Sequence, residues 1–304
     1  MAVYVVGDFL RETRLRKGYT QEEVSYGICT PASLSRIENG AQKPGRLILE
    51  KLFERLGTEN NLFNSFVSRE EMELYSAIQE LVRNITDDDV VKIEKQIDVV
   101  EKLAVNTTEL EHQCLYFAKG ELARQKEKDD KKAMEMYMKA IHITLPDFDG
   151  KNPLRNNLLT FDEIMIINAI AILHAKADDI MTAVQLGMWL KKYMEEKIVD
   201  GTMKIAKYPM ILYNLSNWLG RENCHKEALK MADLGIRFCI RYGNLAFFPI
   251  LVFNKGGALA ELGKIDQAKK YLHQSVTIFE AMDRPDLIQV ATDWCKLHYR
   301  IDIQ

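Results

Sequence analysis

The sequence predicts an all-α chain, a cluster of short helices followed by a stack of longer helix pairs. Three observations carry this. Apolar residues recur at spacings of three and four almost throughout, the period of a helix face, while alternating polar and apolar runs bounded by turns are nearly absent. Only seven prolines interrupt 304 residues, which leaves room for long helices. Gly18, Gly27, Gly40, Gly45 and Gly57 cut the first 60 residues into short pieces, after which the helices lengthen, a change of grain that marks a domain boundary. At 47% hydrophobic and 28% charged, the composition is that of a folded globular chain.

Residues 6 to 17 form the first helix, with Val6, Phe9, Leu10 and Leu15 expected inward, Arg11, Arg14, Arg16 and Lys17 as a basic cluster at its end, and Gly18 closing it. Thr20 and Glu23 have the spacing of a capping box, starting a second helix that turns Val24 and Ile28 to the core. After the turn Tyr26-Gly27-Ile28-Cys29, Thr30 caps a third helix with Pro31 at its first position, running through Leu34 and Ile37 to Asn39-Gly40. A fourth helix from Arg46 to Leu56 completes a small core. Gly57 to Asn61 reads as a stop, and Ser68-Arg69-Glu70-Glu71 as the capped start of the next helix.

Two short helices about a tight turn make a helix-turn-helix. The string Leu10-Arg11-x-x-Arg14, Lys17-Gly18-Tyr19-Thr20-Gln21-Glu22-Glu23-Val24, Ser33-Leu34-Ser35-Arg36-Ile37-Glu38-Asn39-Gly40 and Lys43-Pro44 resembles the XRE-type helix-turn-helix family. Pro31-Ala32 departs from the polar residues many members carry there. The resemblance implies binding to a double-stranded DNA operator. A recognition helix enters the major groove by its N-terminal end, which makes Ala32, Ser33 and Arg36 the candidates for base edges, and Gln21, Thr30, Asn39 and Lys43 those for phosphates. The alternative for Arg36 is a surface ion pair with Glu38, and for Gln21 a merely solvated position. The module's acidic residues nearly balance its basic ones, so useful affinity implies a homodimer.

From residue 70 the chain shows degenerate self-similarity. Glu70 to Asn84 and Asp87 to Val105 begin a stack of helix pairs, and Ala133, Ala183, Ala228 and Ala268 mark successive second helices at intervals of 50, 45 and 40 residues. These exceed the tetratricopeptide period of about 34, yet the units resemble tetratricopeptide repeats with lengthened helices and loops. The clearest is Asn254 to Leu272, turning at Gly263, and Pro285 to Ile303 reads as a capping helix. The expected architecture is an N-terminal helix-turn-helix domain over 1–66 followed by a right-handed tetratricopeptide-like α-solenoid over 67–304.

A helix-turn-helix head ahead of such repeats resembles the Rgg/PlcR/PrgX group of regulators, which implies that the repeats bind a short signalling peptide and hold the dimer. Amide side chains on the first helices suit an extended peptide backbone. Asn168, Asn214, Asn217 and Asn254 are the candidates, with Tyr213 and Phe253 as pocket formers and Lys176, Arg221 and Lys255 to meet an acidic group. The plainer alternative is that the asparagines bond neighbouring helices and the aromatics are core. A repeat domain that holds a protein partner, or a dimeric repressor with no effector, also stays open; in the latter the groove is expected to be filled by its own side chains.

Nothing points to an enzyme: no metalloprotease, nucleophile-elbow, phosphate-loop or dinucleotide motif is present, and the six histidines fall in different helices. No catalytic residue, metal or cofactor is expected. The five cysteines, Cys29, Cys114, Cys224, Cys239 and Cys295, are scattered and form no CxxC pair; for Cys29 a small buried hydrophobe competes with a redox sensor. The formal charge of −3 confines any nucleic-acid contact to a local patch. No apolar run approaches the roughly 20 residues of a membrane span and no signal peptide is evident, so a cytoplasmic location without membrane contact is expected.

Overall fold

The computed structural model describes residues 6–58, 69–86, 89–104, 109–154, 158–197, 199 and 201–299. Among them the regular structure is helical: α1 (Val6–Arg16), α2 (Gln21–Ser25), α3 (Pro31–Glu38), α4 (Arg46–Arg55), α5 (Arg69–Thr86), α6 (Val90–Leu103), α7 (Glu109–Leu122), α8 (Asp130–Thr144), α9 (Phe161–Lys176), α10 (Ile180–Glu196), α11 (Gly201–Arg221), α12 (His225–Tyr242), α13 (Phe248–Glu261), α14 (Ile265–Ala281) and α15 (Pro285–Tyr299). A π-helical turn, Ala123–Glu127, extends α7. Two compact units divide the chain, one of residues 1–173 with 198–200, the other of residues 174–197 and 201–304. The boundary expected at residue 66, and Ser68 as a cap, lie outside the described residues.

In the first unit, α1 to α4 enclose Leu10, Val24, Leu34, Ile37, Leu52, Phe53 and Leu56. The capping box of Thr20 and Glu23 is formed, and Thr30 accepts from the Ser33 amide with Pro31 in the first turn of α3. A Cβ on Gly7 would stand 2.1 Å from the Ile37 carbonyl oxygen, so α1 meets α3 backbone to backbone. Leu15 corrects the expected inward face of α1: it is 58% exposed, because the helix turns Gly7, Leu10, Thr13 and Arg14 to the core instead.

The four-helix head shares its unit with α7, α8 and the start of α9, and charged groups join them. Arg55 Nη2 lies 2.7 Å from Glu163 Oε1, with side chains 1% and 0% exposed. Arg55 Nη1 donates to the Tyr26 carbonyl at 2.5 Å. Glu163 also caps α9, accepting from the Thr160 amide at 2.6 Å while its own amide donates to Thr160 Oγ1. Beside it Lys51 pairs with Asp162 at 2.8 Å and Glu54 at 3.2 Å, and Glu54 accepts from the Phe161 amide at 2.9 Å. Burial opposes the charge of Lys51, but Asp162, Glu54 and Glu50 outweigh it and hold the ammonium well above the ordinary lysine value. Burial pushes the Glu54 carboxyl up to about 7, against the pull of Lys51. The Tyr26 hydroxyl donates to Asp147.

The pair α5/α6 packs on α7 through Leu74, Ile78, Leu81, Ile93, Ile97, Val100 and Leu115. Where the π-helical turn begins, buried Glu121 accepts from Tyr137 Oη and Arg124, each at 2.5 Å, and from Gln125 at 2.9 Å. Gly120 admits the Tyr137 ring, which a Cβ would approach to 2.4 Å.

The second unit stacks α11/α12 and α13/α14, with α10 beside α11 and α15 on α14. Ala183, Ala228 and Ala268, like Ala133 in the first unit, are the fourth residues of their helices and fully or almost fully buried. The turns repeat too: Lys128, Asp178, Asn223, Gly263 and Asp283 all have left-handed φ, each two residues before the first residue of the next helix. Gly235 receives Leu251, and Gly256 receives Leu272, with Cβ approaches of 2.7 Å in both.

Gly27 and Gly18 both have left-handed φ, but a Cβ on Gly27 would lie 1.9 Å from the Thr144 carbonyl oxygen, whereas Gly18 faces open space. Gly18→Ala is therefore expected to cost about 1 kcal/mol, and Gly27→Ala about 2–4 kcal/mol because overpacking adds to the backbone term. Denaturant unfolding of the two variants measures the difference; equal losses would contradict the close approach.

Candidate nucleic-acid interface and effector cavity

The apolar spacing of α3 fixes its orientation. Leu34, Ile37 and Glu38 point inward, leaving Ala32, Arg36 and Asn39 exposed and Ser33 half-buried. Arg36 Nε donates to Gln42 Oε1 at 3.2 Å, and Nη2 to Ser33 Oγ at 3.4 Å. The surface pair between Arg36 and Glu38 is replaced by another arrangement. Glu38 is turned inward and takes both arms of Arg14, at 2.6 and 2.9 Å, and the Gln21 amide at 2.7 Å. Arg14, also bonded to the Tyr19 carbonyl at 2.9 Å, is held above the ordinary arginine value by its hydrogen bond to Glu38.

The basic cluster expected at the end of α1 thus divides. Arg14 is a core residue, and Lys17 donates to the Leu56 carbonyl at the C-terminus of α4, so neither is a surface charge. Arg11 and Arg16 stay exposed, and Arg11 Nη1 donates to Asn39 Oδ1 at 3.3 Å. Thr30 and Lys43 are exposed and Gln21 half-buried. The structure therefore gathers Ala32, Ser33, Arg36 and Asn39 along one helix edge, and adds Gln42 and Arg11. Gln42 carried no signal in the sequence, because its place beside Arg36 depends on how the chain leaves α3.

In the second unit a cavity of about 540 Å³ opens between α11, α13 and α15. Its walls follow the repeat. Tyr213, Asn217 and Arg221 project from α11 and Phe253, Gly257 and Glu261 from α13, equivalent positions 40 residues apart, and α15 supplies Leu287, Val290, Ala291 and Trp294. Asn254 lines the cavity, and its Nδ2 donates to the Tyr213 carbonyl at 3.3 Å, joining α13 to α11. Arg221 donates to the Ala175 carbonyl at 2.8 Å and pairs with exposed Asp178 at 3.2 Å. Nδ1 of His225, also in the wall, is buried without a hydrogen-bond partner.

Other expected groove residues lie elsewhere. Asn214 is buried and outside the lining, since one residue beyond Tyr213 the helix has turned about 100°. Asn168 is buried in the first unit, and Lys176 is exposed at the end of α9; neither lines the cavity. Lys255 lies outside the lining: it pairs with Asp233 at 2.7 Å and lies 4.1 Å from the Tyr271 ring centre. Aromatic walls with a few amide and charged groups suit a small, partly apolar ligand. Among the described residues no helix is long and apolar enough to cross a membrane.

A helix-turn-helix domain family matches residues 5–66. Over 63 residues the chain is 38% identical to the uncharacterized HTH-type transcriptional regulator YqaF of Bacillus subtilis (strain 168), covering 20% of this chain and 83% of that protein. The fold is similar to that of PlcR from Bacillus thuringiensis in complex with the peptide PapR7 and DNA, with TM-score 0.60 and 18% identity over 94% of this chain and 98% of that one. The apo form of PlcR gives 0.56 and 16% over 95% and 98%. Apo ComR, the competence regulator of Streptococcus vestibularis, gives 0.51 and 14% over 96% and 97%.

Arg14 and Arg36 separate stability from recognition. Arg14→Ala leaves Glu38 buried without its main partner and is expected to cost about 3–5 kcal/mol. Arg36→Ala removes an exposed side chain and should stay within about 0.5 kcal/mol of the parent. Thermal unfolding of the full chain distinguishes them, and comparable losses would show that Arg36 is structural.

Proposed function

The chain belongs to the helix-turn-helix family of transcriptional regulators through its N-terminal residues, and from that premise we propose that it binds an operator as a homodimer and that a short signalling peptide in the second-unit cavity alters that binding. The N-terminal end of α3 enters the major groove. There Arg36 grips guanine O6 and N7 with two donors, and Ala32 packs on a thymine methyl, with Ser33 beside them. Thr30, Asn39, Lys43 and Gln21 hold phosphates, joined by Arg11. The dimer follows from the near balance of charge in the head, which limits what one copy gains from phosphate contacts.

The observation that carries the peptide reading is the cavity itself, whose walls bear matched positions of successive helix pairs. An extended backbone laid across α11 and α13 meets the amides of Asn217 and Asn254, with Tyr213 and Phe253 in the walls and Arg221 at the rim. The cavity is open, whereas an effector-free repressor is expected to fill its groove with side chains. PlcR, which shares the fold, was solved with the peptide PapR7 and DNA, and this supports the same division of labour here. A peptide source outside the cell and a cytoplasmic site of action go with this reading. The ligand acts only if it binds differently to the DNA-competent and DNA-incompetent states. Asn168, Lys176 and Asn214 are not needed for the site.

Native mass spectrometry of the protein purified from its own host is expected to show a stoichiometric short peptide; a ligand-free protein that also shows no thermal shift with fractionated culture medium would contradict the reading. Arg36→Ala is expected to lose about 1–3 kcal/mol of discrimination between operator and random duplex, read as the ratio of the two affinities. Asn254→Ala should keep that ratio and lose the response to the copurified peptide, and an unchanged response would remove Asn254 from the site.

A further inference from the structure

α15 turns Gln289, Asp293 and Lys296 to water, but it leaves large apolar side chains open beside them: Val290, Trp294 and Leu297 are 64%, 47% and 77% exposed. Leu287, Val290, Ala291 and Trp294 stand at i, i+3, i+4 and i+7, one continuous stripe, and all four line the cavity. The helix is anchored through Ala291, at the inner edge of that stripe, and Cys295, which join Leu272, Val276 and Phe279 of α14 in a buried cluster. α15 is thus fixed to the stack along one side and offers an apolar side to the cavity.

The Trp294 indole is also held in place. It stacks on the His298 ring with centroids 3.9 Å apart and planes 24° apart, so one face is covered and the ring is oriented before any ligand arrives. Phe253, Phe279 and Leu287 belong to the same cavity. Among such neighbours a charged group loses hydration without gaining a partner. A large apolar group instead removes from water the surface that Val290 and Trp294 leave open. The rim residues Arg221 and Glu261 occupy equivalent positions at the ends of α11 and α13, so charge sits at the ends of these helices and apolar surface on the α15 wall.

We propose that Trp294 is the specificity-determining residue of the cavity, receiving a bulky, uncharged apolar side chain of the bound peptide against the α15 wall. This rests on the reading of the cavity as a peptide site and adds which side chain it selects and which residue selects it. Hot-spot energetics at a partly preformed aromatic surface imply a loss of at least about tenfold in affinity when the indole is removed.

The test is affinity selection of a synthetic library of random heptapeptides with free termini on the full-length protein, with Trp294→Ala and Trp294→Phe in parallel and circular dichroism to confirm equal helicity. The expected result is enrichment of Trp, Phe, Leu, Ile or Met at one peptide position, with affinity for the selected peptides falling at least about tenfold in Trp294→Ala and largely retained in Trp294→Phe. Selected peptides without apolar enrichment, with Lys or Arg at that position, or with equal affinity for Trp294→Ala, would overturn the assignment while leaving the cavity a peptide site. Retention of no peptide at all would overturn both.

Discussion

The pair of Arg55 and Glu163 constrains the first unit more than any other contact. Both side chains are out of water, and a buried charge persists only while it is paired. Arg55 also holds the Tyr26 carbonyl, although its Nε is buried without a partner, and Glu163 also closes the first turn of α9. Neither can move without stranding the other. Lys51, Glu54 and Asp162 extend the cluster along α4, and Gly27 brings the turn before α3 onto the end of α8. The head is consequently held by α4 and by the turn between α2 and α3, and the outer edge of α3, with Ala32 and Arg36, remains exposed to solvent.

Much of the head was legible in the sequence because its signals are local. Thr20 with Glu23, and Thr30 with Pro31, announce helix starts within three residues, and the structure forms both caps. The charged side chains misjudged are those whose partners are distant. Arg14 lies 24 residues from Glu38, so nothing local distinguishes this buried arginine from a surface basic cluster. Lys17, bonded to the end of α4, was hidden for the same reason.

The repeats show the same division. The small residue that lets paired helices approach is an alanine in each of four units, so the register could be read. The turns could not, because the left-handed residue is a glycine only at Gly263 and is Lys128, Asp178, Asn223 or Asp283 elsewhere. Asn214 and Asn254 matched in sequence, yet only Asn254 reaches the cavity. α15 read as a cap because an apolar stripe looks alike whether it faces a core or a cavity.

The exposed edge of α3 and the open cavity lie in separate compact units of one chain, and the proposed function assigns DNA to the first and a peptide to the second. The most direct test of this account is a fluorescence-anisotropy titration of a labelled duplex, taken from the DNA upstream of the protein's own gene, with full-length protein before and after removal of its copurified peptide. The account predicts that the dissociation constant changes at least about fivefold, the lower end of ordinary coupling between sites. Superimposable binding curves, with the peptide verified as bound in one sample and absent in the other, would contradict it.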